Sequence, residues 1–160
     1  LCSDGRCVCE DAFEPNADPA NASRLDCGGA CDLADLAVEV EATLERAGDH
    51  DFYAIEVSHR SDRAVRLDVV GLQSTRDIFL SYVCPDGSEQ ISNCSGSSSS
   101  FAGSTYCVEE TSDTLRLVQE CGDSSGGSAT IIVGIGSREG EFRGPCDSYS
   151  FAVTSYYYDD

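Results

Sequence analysis

Beyond residue 35, hydrophobic and polar residues alternate with a period of two, which is the pattern of half-buried β-strands. Leu36, Val38 and Val40 alternate with Ala37, Glu39 and Glu41. Tyr53, Ile55 and Val57 alternate with Phe52, Ala54 and Glu56, and Val65, Leu67 and Val69 with Ala64, Arg66 and Asp68. Each run has one dry and one wet face. Further strands are predicted over 78–84, 107–110, 115–120, 130–136 and 149–157, separated by Gly48-Asp49, Pro85-Asp86-Gly87, Ser112-Asp113, Gly126-Gly127 and Gly144-Pro145. Ile131-Ile132-Val133 does not alternate and reads as a central strand covered on both faces. Residues 32–46 also scan as a helix through Leu33, Leu36 and Leu44, but the Val38-Glu39-Val40-Glu41 alternation favours a strand.

About eight or nine short strands with these turns predict an all-β domain over residues 33–160, an antiparallel β-sandwich of jelly-roll type. Residues 95–104, rich in serine, read as a flexible loop. Residues 1–32 have almost no apolar periodicity and form a separate Cys-rich arm. A segment this short takes its shape from disulfides or from docking.

Composition narrows the setting. The 160 residues suit one globular domain, and 29 acidic against 10 basic side chains, all arginine, give a charge of −19. Such a surface repels phosphate backbones and anionic headgroups, so nucleic-acid and membrane-surface binding are excluded as expectations. No run approaches the roughly 20 apolar residues of a membrane span, so no membrane insertion is expected. The opening residues lack a basic and apolar leader, which reads as a mature or processed chain. The sequons Asn21-Ala22-Ser23 and Asn93-Cys94-Ser95 read as surface loops.

The ten cysteines predict structural disulfides formed in an oxidising compartment, and an extracellular or cell-surface protein. No C-x-x-C occurs, and His50 and His59 lie far from any zinc-like arrangement. Cys2, Cys7, Cys9, Cys27 and Cys31 lie in the arm; Cys84, Cys94, Cys107, Cys121 and Cys146 lie in the sandwich. Five and five cannot all pair internally, so at least one bridge must join arm to sandwich. The five sandwich cysteines are expected to pin the loops at one end.

Catalytic patterns are weak. The two histidines sit in or beside polar turns, and a triad is defined by geometry rather than inventory. Paired thiols are not nucleophiles, and Gly134-Ile135-Gly136 is a lone glycine pair within a strand. No enzyme is expected. The acidic turns say more. Glu14, Asn16 and Asp18 offer oxygens at alternate positions, and Asp49 and Asp51 offer two more just before a strand. Calcium takes six to eight such oxygens, including carbonyls and water.

The order Glu14-Pro15-Asn16-x-Asp18, then G-D-x-D-F-Y-x-x-x-V from Gly48 to Val57, then Asp77-Ile78-Phe79-Leu80, then a terminal Y-x-F-x-V from Tyr149 to Val153, resembles the bacterial pre-peptidase C-terminal domain. Cys2 to Cys9, in the spacing C-x-x-G-x-C-x-C, is similar to the closing part of an EGF-like module. The first resemblance spans residues 13–155 and implies a calcium-binding β-sandwich of exported proteins. Its ligands would correspond to Glu14, Asn16, Asp18, Asp49 and Asp51. The sandwich cysteines and serine loop depart from that pattern.

Two functions are therefore expected in competition. One is a non-catalytic structural or adhesive module outside the cell, self-associating into a filament through Tyr156, Tyr157 and Tyr158, residue types favoured at interfaces. The other is an accessory domain processed from a secreted hydrolase, binding an extracellular protein or a glycan. Here the lack of tryptophan removes the commonest sugar-stacking platform.

Overall fold

The computed structural model describes the chain except residues 1, 4, 5, 8, 10, 28–30, 61–62, 73–75, 90, 92, 123–125, 139 and 159–160. Residues 2, 3, 6, 7 and 158 are described by backbone alone. The alternating segments become strands because each can bury one face only by packing on another sheet. They are β5 (Ala37–Leu44), β6 (His50–His59), β7 (Ala64–Gly71), β8 (Asp77–Val83), β10 (Ser97–Phe101), β11 (Ser104–Glu109), β12 (Thr114–Gln119), β13 (Gly127–Gly136) and β14 (Asp147–Tyr158). Two-residue segments complete the set: β1 (Cys2–Ser3), β2 (Arg6–Cys7), β3 (Ser23–Arg24), β4 (Cys31–Asp32) and β9 (Asn93–Cys94).

Two antiparallel sheets pack as a sandwich. One has the order β10-β11-β8-β13-β6, and the other β5-β14-β7-β12-β9. The arm supplies an unforeseen feature: β3 and β4 add to the open edge of β6 in parallel, with Ser23 opposite Tyr53 and Cys31 opposite Val57. The core between the sheets is made of the inward members of each alternation, among them Val40, Leu44, Ile55, Val57, Leu67, Val69, Ile78, Leu80, Leu117, Ile131, Val133 and Phe151. The strand reading of 32–46 holds over Ala37–Leu44.

β13 lies between β6 and β8, as the central-strand reading requires. Its inner face buries Ile131, Val133 and Ile135. Its outer face carries Gly134 and Gly136, over which Phe52, Phe79 and His50 lie. A Cβ at Gly134 would stand 2.5 Å from Phe52 Cε1, and one at Gly136 2.8 Å from His50 Cδ2. Glycine is therefore required there so that aromatic rings can approach the backbone closely. Phe101 and Tyr106 complete this second cluster.

The serine-rich segment is not a loop. Ser97–Phe101 pairs with Ser104–Glu109 through a two-residue turn in which Ala102 and Gly103 both have positive φ, 49° and 85°. That is the type I′ geometry matching strand twist. Serine content reports the exposure of this edge strand, while its backbone is held by β11.

The bridges also differ from a single pinned end. Cys84–Cys121 and Cys94–Cys107 each join one sheet to the other. Cys107 sits within β11 opposite Leu80, and Cys94 sits opposite Leu117 in the interior of β12, away from the ends of those strands. Cys146 lies at the opposite end from Cys84 and bonds Cys9, the link between arm and sandwich. Cys27–Cys31 closes a short loop in the arm. The eight cysteines with described side chains are all paired, which suits an oxidising environment outside the cytosol. Backbone pairing sets Cys2 opposite Cys7. Their side chains, and with them the EGF-like spacing, lie outside the described residues.

Candidate metal centre

At the start of β6 the period of two turns Asp51 and Tyr53 inward with Ile55, so a carboxylate is buried at the mouth of the core. Asp51 is fully buried and Asp49 nearly so. The turn before them is fastened by Asp49, whose Oδ2 accepts from the Glu45 N–H at 3.0 Å and whose carbonyl accepts from Ser137. The arm closes over this mouth. Asn16 O accepts from the Phe52 N–H at 2.8 Å, which brings the Asn16 side chain into the protein at 1% exposure and Glu14 beside it.

One oxygen each from Glu14, Asp49 and Asp51 lies within 4.8 Å of the others. Ligands on opposite sides of a calcium ion, each about 2.4 Å from it, stand about as far apart. One end of the Asn16 side-chain amide lies about 3.3 Å from Glu14 Oε2 and 3.1 Å from Asp51 Oδ1, and the Asn16 backbone N–H donates to Glu14 Oε2 at 3.2 Å. With its NH2 turned toward them, the amide donates to both carboxylates. Which end faces them depends on what fills the space, because the network fixes the orientation of an amide. The ligand atoms that Glu14, Asp49 and Asp51 offer are all carboxylate oxygens, which suits a hard cation.

The electrostatics agree. Burial pushes the Asp51 carboxyl up to about 7. A hydrogen bond from Tyr149 opposes this, and the nearby charges of Glu14, Asp49 and Asp11 add to it. Glu14 is raised as well, chiefly by burial, against a hydrogen bond from the Asn16 N–H and with Glu45, Asp49 and Asp11 adding. Without a counter-ion the pocket resists holding its full negative charge.

No family model matches the chain, and no curated protein is significantly similar to it. The site is therefore argued from its geometry. Of the five ligands named from sequence, the structure brings together Glu14, Asn16, Asp49 and Asp51. Asp18 is not with them. It is exposed, and its Oδ1 caps the short 3-10 turn Pro19–Asn21 by accepting from the Ala20 N–H at 2.8 Å. An Asp before a turn has this local use, and it competes with ligation.

Sequence reasoning missed the supporting residues. Tyr149 OH donates to Asp51 Oδ2 at 2.6 Å, and Tyr53 OH lies 2.5 Å from Tyr149 OH, so for ionised Asp51 the chain of donation runs from Tyr53 to Tyr149 to Asp51. Asp11 accepts from the Thr43 N–H at 2.8 Å and the Phe13 N–H at 2.8 Å, tying arm to β5. Parity was a usable signal: Asp51 and Tyr53 share an inward face, and the phenol tip of a buried tyrosine needs a polar partner.

The tail residues complete β14 within the subunit. Tyr156 pairs with Arg66 and Tyr157 with Val65. Tyr157 OH accepts from the Arg60 N–H at 3.1 Å and donates to Ser58 O, and its ring faces Arg60 and Arg63. Tyr156 remains 38% exposed beside Arg66. The Tyr158 side chain lies outside the described residues. One further sequence pattern, G-x-S-x-G over residues 122–126, runs between two strands, whereas a nucleophile elbow joins a strand to a helix. Its residues 123–125 also lie outside the described residues.

Proposed function

We propose that the chain is a non-catalytic structural or adhesive module of the extracellular space, whose N-terminal arm is clamped to the sandwich by calcium held among Glu14, Asn16, Asp49 and Asp51. The observation that carries this reading is the cluster itself: one oxygen each from Glu14, Asp49 and Asp51 within 4.8 Å of one another, with Asp49 and Asp51 buried and Glu14 brought to them by the arm. Calcium would supply charge neutralisation and bonds joining arm to β6. The resemblance to exported calcium-binding sandwiches points the same way.

A structural rather than catalytic role is supported by how the reactive side chains are used. The described cysteines are bridged. His59 Nδ1 bonds Tyr82 OH at 2.7 Å, and His50 packs among Phe52, Phe79 and Phe101.

The test is thermal unfolding at fixed ionic strength with calcium or with chelator. Calcium at 100 times its dissociation constant stabilises by about 2.7 kcal/mol, which in a domain of this size raises Tm by about 5–10 °C. Asp49→Asn and Asn16→Ala should abolish the rise. Superimposable melting curves with and without calcium would remove the clamp.

A further inference from the structure

The two outer faces of the sandwich are finished differently. That of the first sheet is filled by Phe52, Phe79, Phe101 and Tyr106. That of the second has smaller side chains at its middle: Ala152 and Thr154 on β14, Val70 on β7 and Thr114 on β12. The only large hydrophobic residues exposed among the described residues are Leu72, at 51%, and Tyr156, at 38%. Both belong to this face. Tyr156 follows Ala152 and Thr154 in the outward alternation, and Leu72, whose N–H donates to Ser150 O, follows Val70 just beyond β7.

Charge divides the same face. Its β5 margin presents Glu39 and Glu41, both exposed. Across β14, Arg66 and Arg116 share Asp68, with Nε–Oδ distances of 3.0 and 2.9 Å, and leave a net positive group in a chain of −19. Arg116 keeps 49% of its side chain exposed, and Arg66 lies over the Tyr156 ring at 5.0 Å. Tyrosine and arginine are the residue types enriched where proteins meet.

We infer that this face binds a second copy of the chain about a two-fold axis, with Glu39 and Glu41 of each subunit over Arg66 and Arg116 of the other. Glu39 is level with Ala152, and Arg66 with Tyr156, so an axis in the plane of the face that crosses β14 obliquely near Thr154 exchanges the acidic margin with the arginine side, and both halves of the contact are complementary at once. Small residues at the centre let two sheets approach to the usual spacing of about 10 Å. Five strands about 4.8 Å apart by eight residues of about 3.4 Å give a face near 19 by 27 Å. That is the low end of specific interfaces, so the dimer is weak. A two-fold contact closes on itself and yields a dimer, not a filament. The inference extends the structural-module reading and does not depend on the metal.

Sedimentation equilibrium in 0.15 M NaCl tests it. The mass should climb from 17.0 kDa toward twice that as concentration rises into the millimolar range. A single 17.0 kDa species throughout overturns the contact. Glu39→Arg with Glu41→Arg should give monomers, as should Arg66→Glu with Arg116→Glu, and an equimolar mixture of the two variants should regain the doubled mass. A mixture that stays monomeric also overturns it. Should the arginine variant fail to unfold cooperatively, because Asp68 then stands among acids, Ala152→Arg at the centre takes its place and must abolish the dimer. Each sample is also melted with calcium and with chelator. A monomer that gains stability from calcium sinks the contact alone, and a dimer indifferent to calcium sinks the clamp alone.

Discussion

Each end of the sandwich has a disulfide, but beside Cys9–Cys146 the end is built on buried charge, whereas beside Cys84–Cys121 it is built on neutral aromatic and histidine side chains. Where β6 begins and β13 finishes, Asp49 and Asp51 meet Glu14 and Asn16 of the arm, and nearby Arg76 and Asp147 form a buried ion pair at 2.7 Å. Arg138 joins the same end through Asp77 at 3.2 Å and the Arg76 carbonyl at 2.7 Å. At the far end Cys84–Cys121 spans the sheets, His59 bonds Tyr82, and Tyr157 OH accepts from the Arg60 N–H just beyond β6. The contrast shows where an acidic chain can afford buried carboxylates. Among the described residues the buried carboxylates are Asp49, Asp51 and Asp147, met in turn by the Glu45 N–H, the Tyr149 hydroxyl and Arg76, because an unanswered buried charge is strongly unfavourable.

The largest effect is expected at the charged end. Removing one partner of the buried pair, in Arg76→Ala or Asp147→Ala, leaves the other charge uncompensated and should destabilise by about 3–5 kcal/mol in denaturant unfolding. Arg24→Ala, which breaks an exposed contact of 3.6 Å to Glu56, should fall within about 0.5 kcal/mol. If both variants lose similar amounts, the charged end is not held by its buried pair.

At the other end, Cys84→Ala with Cys121→Ala opens a bridge across 37 residues, and loop entropy sets its contribution at roughly 3–4 kcal/mol. The calcium-induced rise in Tm should survive in this variant, since the bridge and the carboxylates lie at opposite ends. Loss of that rise would mean that the two ends are coupled and the comparison is misdrawn.

Much of this was legible in the residues themselves. A period of two located β5, β6, β7 and β14 because inward positions must be apolar, and it chose strand over helix at 37–44. Parity of the cysteines required a link from arm to sandwich, and Cys9–Cys146 is that link. The serine strand β10 was not legible: an edge strand exposed on its outer side needs no apolar alternation, and its pairing comes from the Ala102-Gly103 turn. Nor was the loss of Asp18 from the acidic cluster, because spacing along the chain does not say which carboxylate turns back to cap its own backbone. The parallel docking of β3 and β4 on β6 carries no local signal, since two residues are too few to show a period.

The effect of pH is the most specific to the charged end. Asp51 has a folded pKa near 7, above the ordinary carboxylate range, so the folded protein binds a proton there that the unfolded chain releases. Its contribution to stability is thus present below about pH 4 and lost as pH rises through about 7. In chelator, stability should decline across that window, with part of the decline belonging to this group. In Asp51→Asn, whose amide oxygen can still accept from Tyr149 OH, that part of the slope should vanish, while repulsion among the many surface acids remains common to both proteins and cancels in the comparison. Calcium should flatten the wild-type slope, because a bound cation favours the ionised carboxylate and reverses the sign of its proton linkage. It should leave Asp51→Asn little changed. Parallel slopes for the two proteins in chelator would show that the buried carboxylate is already compensated without metal, and the two ends would then differ in composition but not in what they require.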